Sequence, residues 1–157
     1  MLDKTIEEFV RNLTGDTKHS GRAFFEHLKG TYDLLEQSGA PPHVCLAGLC
    51  HSIYGTNIFQ QASVPMEERD CVAELIGDEA EWLAYIFCSC NRPLTLINAV
   101  DRGPPYVVLN RHNGDWMILT PAQLRELLQI EKANLEEQGC MDSRVVDALC
   151  KVGHFTV

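Results

Sequence analysis

The stretch PPHVCLAGLCHSIYG (residues 41–55) decides the fold that the sequence predicts. Two prolines open it, as prolines do in the first turn of a helix, and Gly55 is where the helix is expected to stop. Residues 44–54 are apolar on all sides of this predicted helix. Such a helix is normally the buried centre of a helical domain. His51 lies within it, so the sequence predicts a histidine in the core.

Helices are also predicted on both sides of this stretch. Apolar residues recur there at the three- and four-residue spacing of one helix face. Ser20 is the expected N-cap of the helix before the central one, and Gly39 is the expected end of that helix. The predicted helices cover residues 3–13, 20–38, 66–76, 79–90, 93–101, 121–138 and 143–152.

One short region has the two-residue period of a strand. The runs YVVL (residues 106–109) and WMIL (residues 116–119) are rich in β-forming residues, and an Asn-Gly pair between them favours a hairpin turn. Two helices follow. The sequence therefore predicts one mainly α domain over residues 1–157, with a small β-hairpin at about 106–119 and two C-terminal helices.

Composition and charge argue against several classes of function. A chain of 157 residues, 45% of them hydrophobic, can bury the core of one domain. Its net charge of -9, with 13 scattered lysines and arginines, argues against nucleic acid and anionic membrane as partners. No apolar run is long enough to span a bilayer.

The seven cysteines lie mostly in apolar, helix-like surroundings, so we expect free thiols and a cytoplasmic protein. A homo-oligomer is compatible with the sequence.

Three side chains are candidate ligands for a divalent metal ion. His27 and His51 lie on two predicted apolar helices, and Asp101 ends a third. Imidazole nitrogen and carboxylate oxygen suit zinc, iron and manganese. Taken singly, either histidine is better explained as a core residue bonded to the backbone. Together the three residues predict a metal site between neighbouring helices, with His19 as a candidate further ligand or, alternatively, an exposed loop histidine.

Four short motifs occur in a recognisable order: SGRAFFEH (residues 20–27), AGLCHS (47–52), IGDEAEWL (76–83) and AVDR (99–102). Their order and spacing resemble the N-terminal hydrolase domain of RelA/SpoT-type enzymes, which belong to the HD superfamily. The resemblance covers residues 18–102, about half of the chain. It implies an HD-like helical bundle in which His27, His51 and Asp101 are three of four metal ligands.

The chain departs from that family at positions that matter for its chemistry. The fourth family ligand, the aspartate of a His-Asp pair, is Ser52 here, and a serine hydroxyl is a poor ligand. The family's acidic pair, which assists the hydrolytic water, falls on Gly55 and Thr56, and neither can act as a base. The family's guanine-stacking arginine is His19. The chain thus resembles a divergent HD domain, and these changes argue against guanosine-tetraphosphate hydrolysis.

Two functions are compatible with these residues. The favoured one is a small metal-dependent enzyme that acts on a small anionic metabolite, either as a hydrolase or as a non-haem iron oxygenase. Its cofactor would be a divalent iron, manganese or zinc ion. The alternative is a degenerate, non-catalytic HD-like module for binding or interaction, which the lost acidic residues favour. The sequence alone does not decide between an enzyme and such a module.

Further residues are expected to act as catalytic or substrate-binding groups: Ser52, Tyr54, Thr56, Arg92 and Arg102. The first three follow His51 closely and are expected to line a pocket, although a packed helix end explains them equally well. The two arginines are expected to hold an anionic substrate, and the alternative for both is a surface salt bridge. Glu131, Glu136 and Glu137 are most simply the solvated face of the last long helix.

Overall fold

The computed structural model describes residues 1–19 and 21–153, and these residues are mainly helical. The helices are α1 (Lys4–Thr14), α2 (Phe24–Gln37), α3 (Pro42–Leu49), α4 (Arg69–Ile76), α5 (Asp78–Ser89), α6 (Leu94–Arg102), α7 (Pro121–Glu137) and α8 (Ser143–Gly153). A 3-10 turn, Met66–Glu68, precedes α4. The strands form two antiparallel hairpins, β1 (Lys18–His19) with β2 (Arg22–Ala23) and β3 (Tyr106–Leu109) with β4 (Trp116–Leu119). The predicted mainly α fold with a small hairpin is confirmed.

Helix α3 lies at the centre of the helical core and contacts α2, α5 and α7. Its residues Val44 and Leu49 are fully buried. Gly48 allows α2 to come close, because a Cβ at this position would lie 2.2 Å from Leu35 Cδ1. The prediction that residues 41–55 supply the centre of the core is therefore confirmed.

Helix α3 ends earlier than predicted. The expected helix ran to Tyr54, whereas the observed helix stops at Leu49 and residues 50–54 form turns. In a continuous helix the carbonyl of Gly48 accepts a hydrogen bond from the backbone N–H four residues later. Here that carbonyl contacts the ring Nδ1 of His51 at 2.6 Å. Because the ring takes this acceptor, His51 stands in the turn just after the helix.

A small hairpin that the sequence did not predict precedes α2. Strands β1 and β2 are antiparallel, with His19 opposite Arg22. Helix α2 therefore begins at Phe24, later than expected, because the preceding residues are paired in the hairpin. The expected N-cap, Ser20, lies outside the described residues. The hairpin brings His19 and Arg22 to the start of α2.

Helix α7, which is 17 residues long, completes the core from the C-terminal half. It is capped by Thr120, which accepts from the backbone N–H of Gln123, whose side chain bonds back to the backbone of Thr120. Leu124, Leu127 and Ile130 are fully buried on its inner face. Neither this helix nor another one among the described residues has the length and apolar composition that crossing a membrane requires.

Arg111 connects the β3–β4 hairpin to the helical core through hydrogen bonds. Its side chain donates to the carbonyls of Cys88 at 3.0 Å and Gly55 at 3.1 Å. Its backbone N–H donates to the carbonyl of Ser89 at 2.8 Å. Gly55 closes the segment that carries His51, so the hairpin is fastened directly to that segment. The buried face of the hairpin is formed by Tyr106, Val108, Met117 and Leu119.

Candidate functional site

Two buried histidine rings meet between α2 and the turn after α3. The Nε2 atoms of His27 and His51 lie 3.2 Å apart, and the rings are nearly perpendicular. Both side chains are almost completely excluded from solvent. His27 and His51, two of the three predicted ligands, are therefore neighbours in the core.

The outer nitrogen of each ring contacts a hydrogen-bond acceptor. His51 Nδ1 contacts the Gly48 carbonyl, and His27 Nδ1 contacts the Oε2 carboxylate oxygen of Glu137. Since both contacts require a donor, each neutral ring carries its proton on Nδ1. The Nε2 atoms then have free lone pairs, and these lone pairs face each other.

Asn134 of α7 adds a third acceptor atom to this point. Its Oδ1 lies 3.1 Å from His51 Nε2. Gln138 fixes the orientation of the amide, because its side-chain nitrogen donates to the same Oδ1 at 2.9 Å. The amide nitrogen of Asn134 is buried and has no hydrogen-bond partner among the described residues. Two ring nitrogens and one amide oxygen thus converge, and the described part of the chain places no donor between them.

Burial keeps the histidine rings of this centre neutral. Burial, and secondarily the neighbouring His27, hold the pKa of His51 well below the usual value of 6.5. Burial also lowers the pKa of His27, and it outweighs the hydrogen bond and charge of Glu137, which act in the opposite direction. A proton shared between the two Nε2 atoms is therefore disfavoured at neutral pH.

His19 covers one side of the pair. Its ring stacks on that of His27, with centroids 4.5 Å apart and the planes nearly parallel. Phe59 contacts the ring of His19 edge-on, with the two ring centroids 4.8 Å apart. Burial, followed by the nearby His27, lowers the pKa of His19. The predicted further ligand is therefore a neighbour that stacks on the centre.

A buried ion pair adjoins the histidines on the side of α5. Arg92 Nη1 lies 3.1 and 3.0 Å from the two carboxylate oxygens of Glu131, and both side chains are buried. The guanidinium lies 4.5 Å above the ring of Phe87, which His51 also contacts. Its Nη2 is 3.4 Å from Thr56 Oγ1, whereas its Nε has no partner among the described residues. Burial raises the pKa of Glu131 despite the opposing effect of Arg92.

Asp101 is not part of this centre. It is exposed at the end of α6, and its carboxylate accepts from Lys151 of α8 at 2.8 Å. Arg102 beside it is also exposed. Helix α6 packs against α8 and β3, and its last two residues are exposed, whereas the histidines are buried. The expected convergence of His27, His51 and Asp101 is thus not found.

The predicted pocket residues after His51 have separate surroundings. Ser52 is buried. The hydroxyl of Tyr54 donates to Glu81 of α5 at 2.9 Å, so it belongs to a different polar contact. Thr56 is buried and contacts Arg92, so it is the one of the three that adjoins the ion pair.

No cluster of three or more histidine, cysteine, aspartate or glutamate side chains suited to a metal ion occurs within residues 1–19 and 21–153. The centre instead offers two imidazole nitrogens and one amide oxygen. This set is smaller than the four ligands implied by the resemblance, and its third member comes from a helix outside the resembling region.

Helix α7 supplies three site residues that the sequence interpretation missed. Glu131 and Asn134 are buried, and only 7% of the Glu137 side chain is exposed. The expectation that Glu131 and Glu137 form a solvated face is therefore wrong, whereas Glu136 is exposed as expected. The detectable signal was spacing: these polar residues continue the buried stripe of the helix at intervals of three.

The chain belongs to the family described as a domain of unknown function (DUF6817), whose family model matches residues 9–92, more than half of its length. No curated protein and no solved structure matches the chain. His27, His51 and Arg92 lie within the matched segment. Asn134 and Glu137 lie outside it.

Proposed function

We propose that the chain binds a divalent metal ion with His27, His51 and Asn134 and uses it on a small anionic metabolite, as a hydrolase or as a non-haem iron oxygenase. The observation that carries the proposal is the 3.2 Å separation of two Nε2 atoms whose rings both hold their proton on the opposite nitrogen. Zinc, manganese and iron(II) are the candidate ions.

The donor set fits a cation better than it fits a proton. Two facing lone pairs repel each other unless a positive charge lies between them, and burial disfavours a protonated ring here. Two nitrogens that share a tetrahedral zinc ion are about 3.3 Å apart, close to the observed separation. The amide oxygen of Asn134, held by Gln138, is an additional ligand that hard and borderline ions accept.

The remaining residues suit the handling of an anion. A metal ion held by three protein atoms keeps open positions and supplies Lewis-acid chemistry to a bound water or substrate. Arg92 brings a guanidinium next to the centre, and its free Nε can donate to an anionic group. Thr56 and Glu131 hold that guanidinium in position. The aromatic rings of Phe24, Phe59 and Phe87 limit access of water.

We also propose that the helical bundle is HD-like. The support is the meeting of His27 on α2 with His51 after α3, since the resemblance implies that these two are ligands of one ion. The departures at Ser52, Gly55 and Thr56 still argue against guanosine-tetraphosphate hydrolysis.

A second candidate is a non-catalytic binding or interaction module. The position of Asp101 favours it, because no carboxylate within residues 1–19 and 21–153 joins the two imidazoles as a third ligand. In that case the histidines are structural and hydrogen-bond each other through a minor tautomer of one ring. Metal binding separates the two candidates.

The decisive experiment is metal binding by matched histidine variants. Protein purified without chelator is analysed for metal, then stripped and titrated with Zn²⁺, Mn²⁺ and anaerobic Fe²⁺ while its melting temperature is recorded. We expect one equivalent to bind to wild type, with a stabilisation of about 2.7 kcal/mol at a free concentration one hundred times Kd. His51→Leu should lose this effect, and His43→Leu, which changes a histidine outside the centre, should keep it. An unchanged melting temperature of wild type with all three ions would favour the non-catalytic module.

A further inference from the structure

Glu137 has a different partner for each of its carboxylate oxygens. Oε2 accepts from His27 Nδ1, and Oε1 accepts from the guanidinium of Arg22, which is half exposed. Only 7% of the Glu137 side chain is exposed. The residue therefore links the surface of the protein to the ring that faces His51.

Two features indicate that the structure accommodates the Glu137 carboxylate at a cost in helix stability. Glu137 is the last residue of α7, where the helix dipole disfavours a negative charge. Gly30 in the middle of α2 makes room for it, since a Cβ there would lie 2.8 Å from Glu137 Cγ and 3.0 Å from Oε1. A glycine within a helix destabilises that helix relative to alanine. Its presence is accounted for by the close approach of the carboxylate.

The partner of Nδ1 determines which nitrogen of His27 carries the proton. With an acceptor at Nδ1, the Nε2 lone pair is free. Without it, the neutral ring can move its proton to Nε2 and donate directly to His51 Nε2, which is 3.2 Å away. The two histidines would then satisfy each other and would offer one lone pair fewer to a cation.

We propose that Glu137 is a positioning residue that holds His27 in its Nδ1–H tautomer. It thereby prevents a direct hydrogen bond between His27 and His51. Glu137 does not contact the space between the Nε2 atoms; it acts through the ring of His27. The inference rests on the proposed metal site for one of its readouts, but the tautomer itself is observable in metal-free protein.

The first test uses Glu137→Leu, with Glu136→Leu as the matched control. Glu136 is the preceding residue of α7 and forms an exposed pair with Lys132. Long-range ¹⁵N NMR of the metal-free proteins reports the tautomer of His27, assigned by comparison with His27→Gln. We expect Nδ1–H in wild type and Glu136→Leu, and Nε2–H in Glu137→Leu. An Nδ1–H ring in Glu137→Leu would overturn the proposal.

The second readout is affinity for Co²⁺, a spectroscopic substitute for zinc. Loss of such a supporting carboxylate typically weakens metal binding by about 10–100-fold. We expect a loss of that size in Glu137→Leu, a smaller one in Glu137→Gln, which keeps an acceptor oxygen for Nδ1, and none in Glu136→Leu. Equal affinity of wild type and folded Glu137→Leu would contradict the proposal. Failure of wild type to bind any metal would refute the proposed function and leave the tautomer result to decide this inference.

Gly30→Ala provides a test that leaves the carboxylate in the chain. The new methyl group should displace Glu137 from His27, so the tautomer should shift and Co²⁺ binding should weaken. The helix itself should gain from alanine, so the melting temperature should not fall in parallel. This variant decides the question if Glu137→Leu does not fold. Unaltered tautomer and affinity in Gly30→Ala, with the carboxylate shown to have moved, would overturn the proposal.

Discussion

Helix α7 makes a histidine–glutamate contact in each half of its length. In the first half, Glu126 contacts His43 Nε2 at 3.0 Å, and 19% and 29% of these side chains remain exposed. At the C-terminal end, Glu137 contacts His27, and 7% and 1% of these side chains are exposed. Water can replace either partner at the first contact, whereas burial largely excludes water from the second. Burial, more than residue type, determines what each contact can do.

The largest loss of stability is expected when the buried carboxylate on α7 loses its positively charged partner. Arg92→Met removes the guanidinium that pairs with Glu131 and leaves the Glu131 carboxylate buried in the core. The free energy of unfolding should fall by about 3–5 kcal/mol, measured by urea denaturation. The exposed pair of Arg144 with Asp142 provides the control, and Arg144→Met should leave the free energy of unfolding almost unchanged. Similar costs for both variants would show that burial does not separate the two regions.

An intermediate effect is expected when a carboxylate replaces the amide at the histidine pair. Asn134→Asp is nearly isosteric and adds a negative charge beside His51. The metal-free protein should lose about 1–3 kcal/mol of stability, because the new group buries a negative charge, even though its oxygen can still accept from Gln138. Metal affinity should rise, because a carboxylate is the stronger ligand. Calorimetric titration and melting curves of the same samples test both directions, and a simultaneous fall of stability and affinity would contradict the metal site.

The buried histidines should also give stability a pH dependence. Their pKa values are lowered in the folded protein, so below about 6.5 the unfolded chain binds protons more readily than the folded chain does. Stability should therefore be full above pH 6.5 and should decrease as the pH falls toward the folded-state pKa values. In His51→Leu this decrease should be shallower. Urea midpoints measured from pH 5 to pH 8 test this, and identical slopes for wild type and variant would show that His51 does not contribute.

The smallest effect is expected at the exposed contact. His43→Leu should change stability by about 0–1 kcal/mol, since both partners remain accessible to water. Thermal melting with and without metal checks this. A larger loss, or a loss of metal binding, would mean that the two histidine–glutamate contacts are coupled through α7.

The helices and the β3–β4 hairpin were predictable because their signals are local. Apolar spacing, the Thr120-Pro121 start of α7 and the Asn-Gly turn act over a few residues of chain. The end of α3 was not predictable in this way. It depends on a ring nitrogen of His51 competing for the Gly48 carbonyl, which helix propensity does not describe.

The candidate site was predictable in part. His27 and His51 were identified because a histidine in an apolar helix is conspicuous. Asp101 was misplaced, because its sequence neighbourhood does not report that Lys151 lies nearby on α8. The contributions of Asn134 and Glu137 were missed because polar residues on a long helix were assigned to solvent, and only packing shows which face is buried.

The family-matched segment ends at Arg92, before the chain reaches α7. Helix α7 nevertheless carries the acceptor for His27 and the counter-charge for Arg92, and it packs against α3. A fragment limited to residues 9–92 would expose these groups without partners and should fail to fold by itself. We therefore expect the cooperative unit of folding to be larger than the segment that the family model matches.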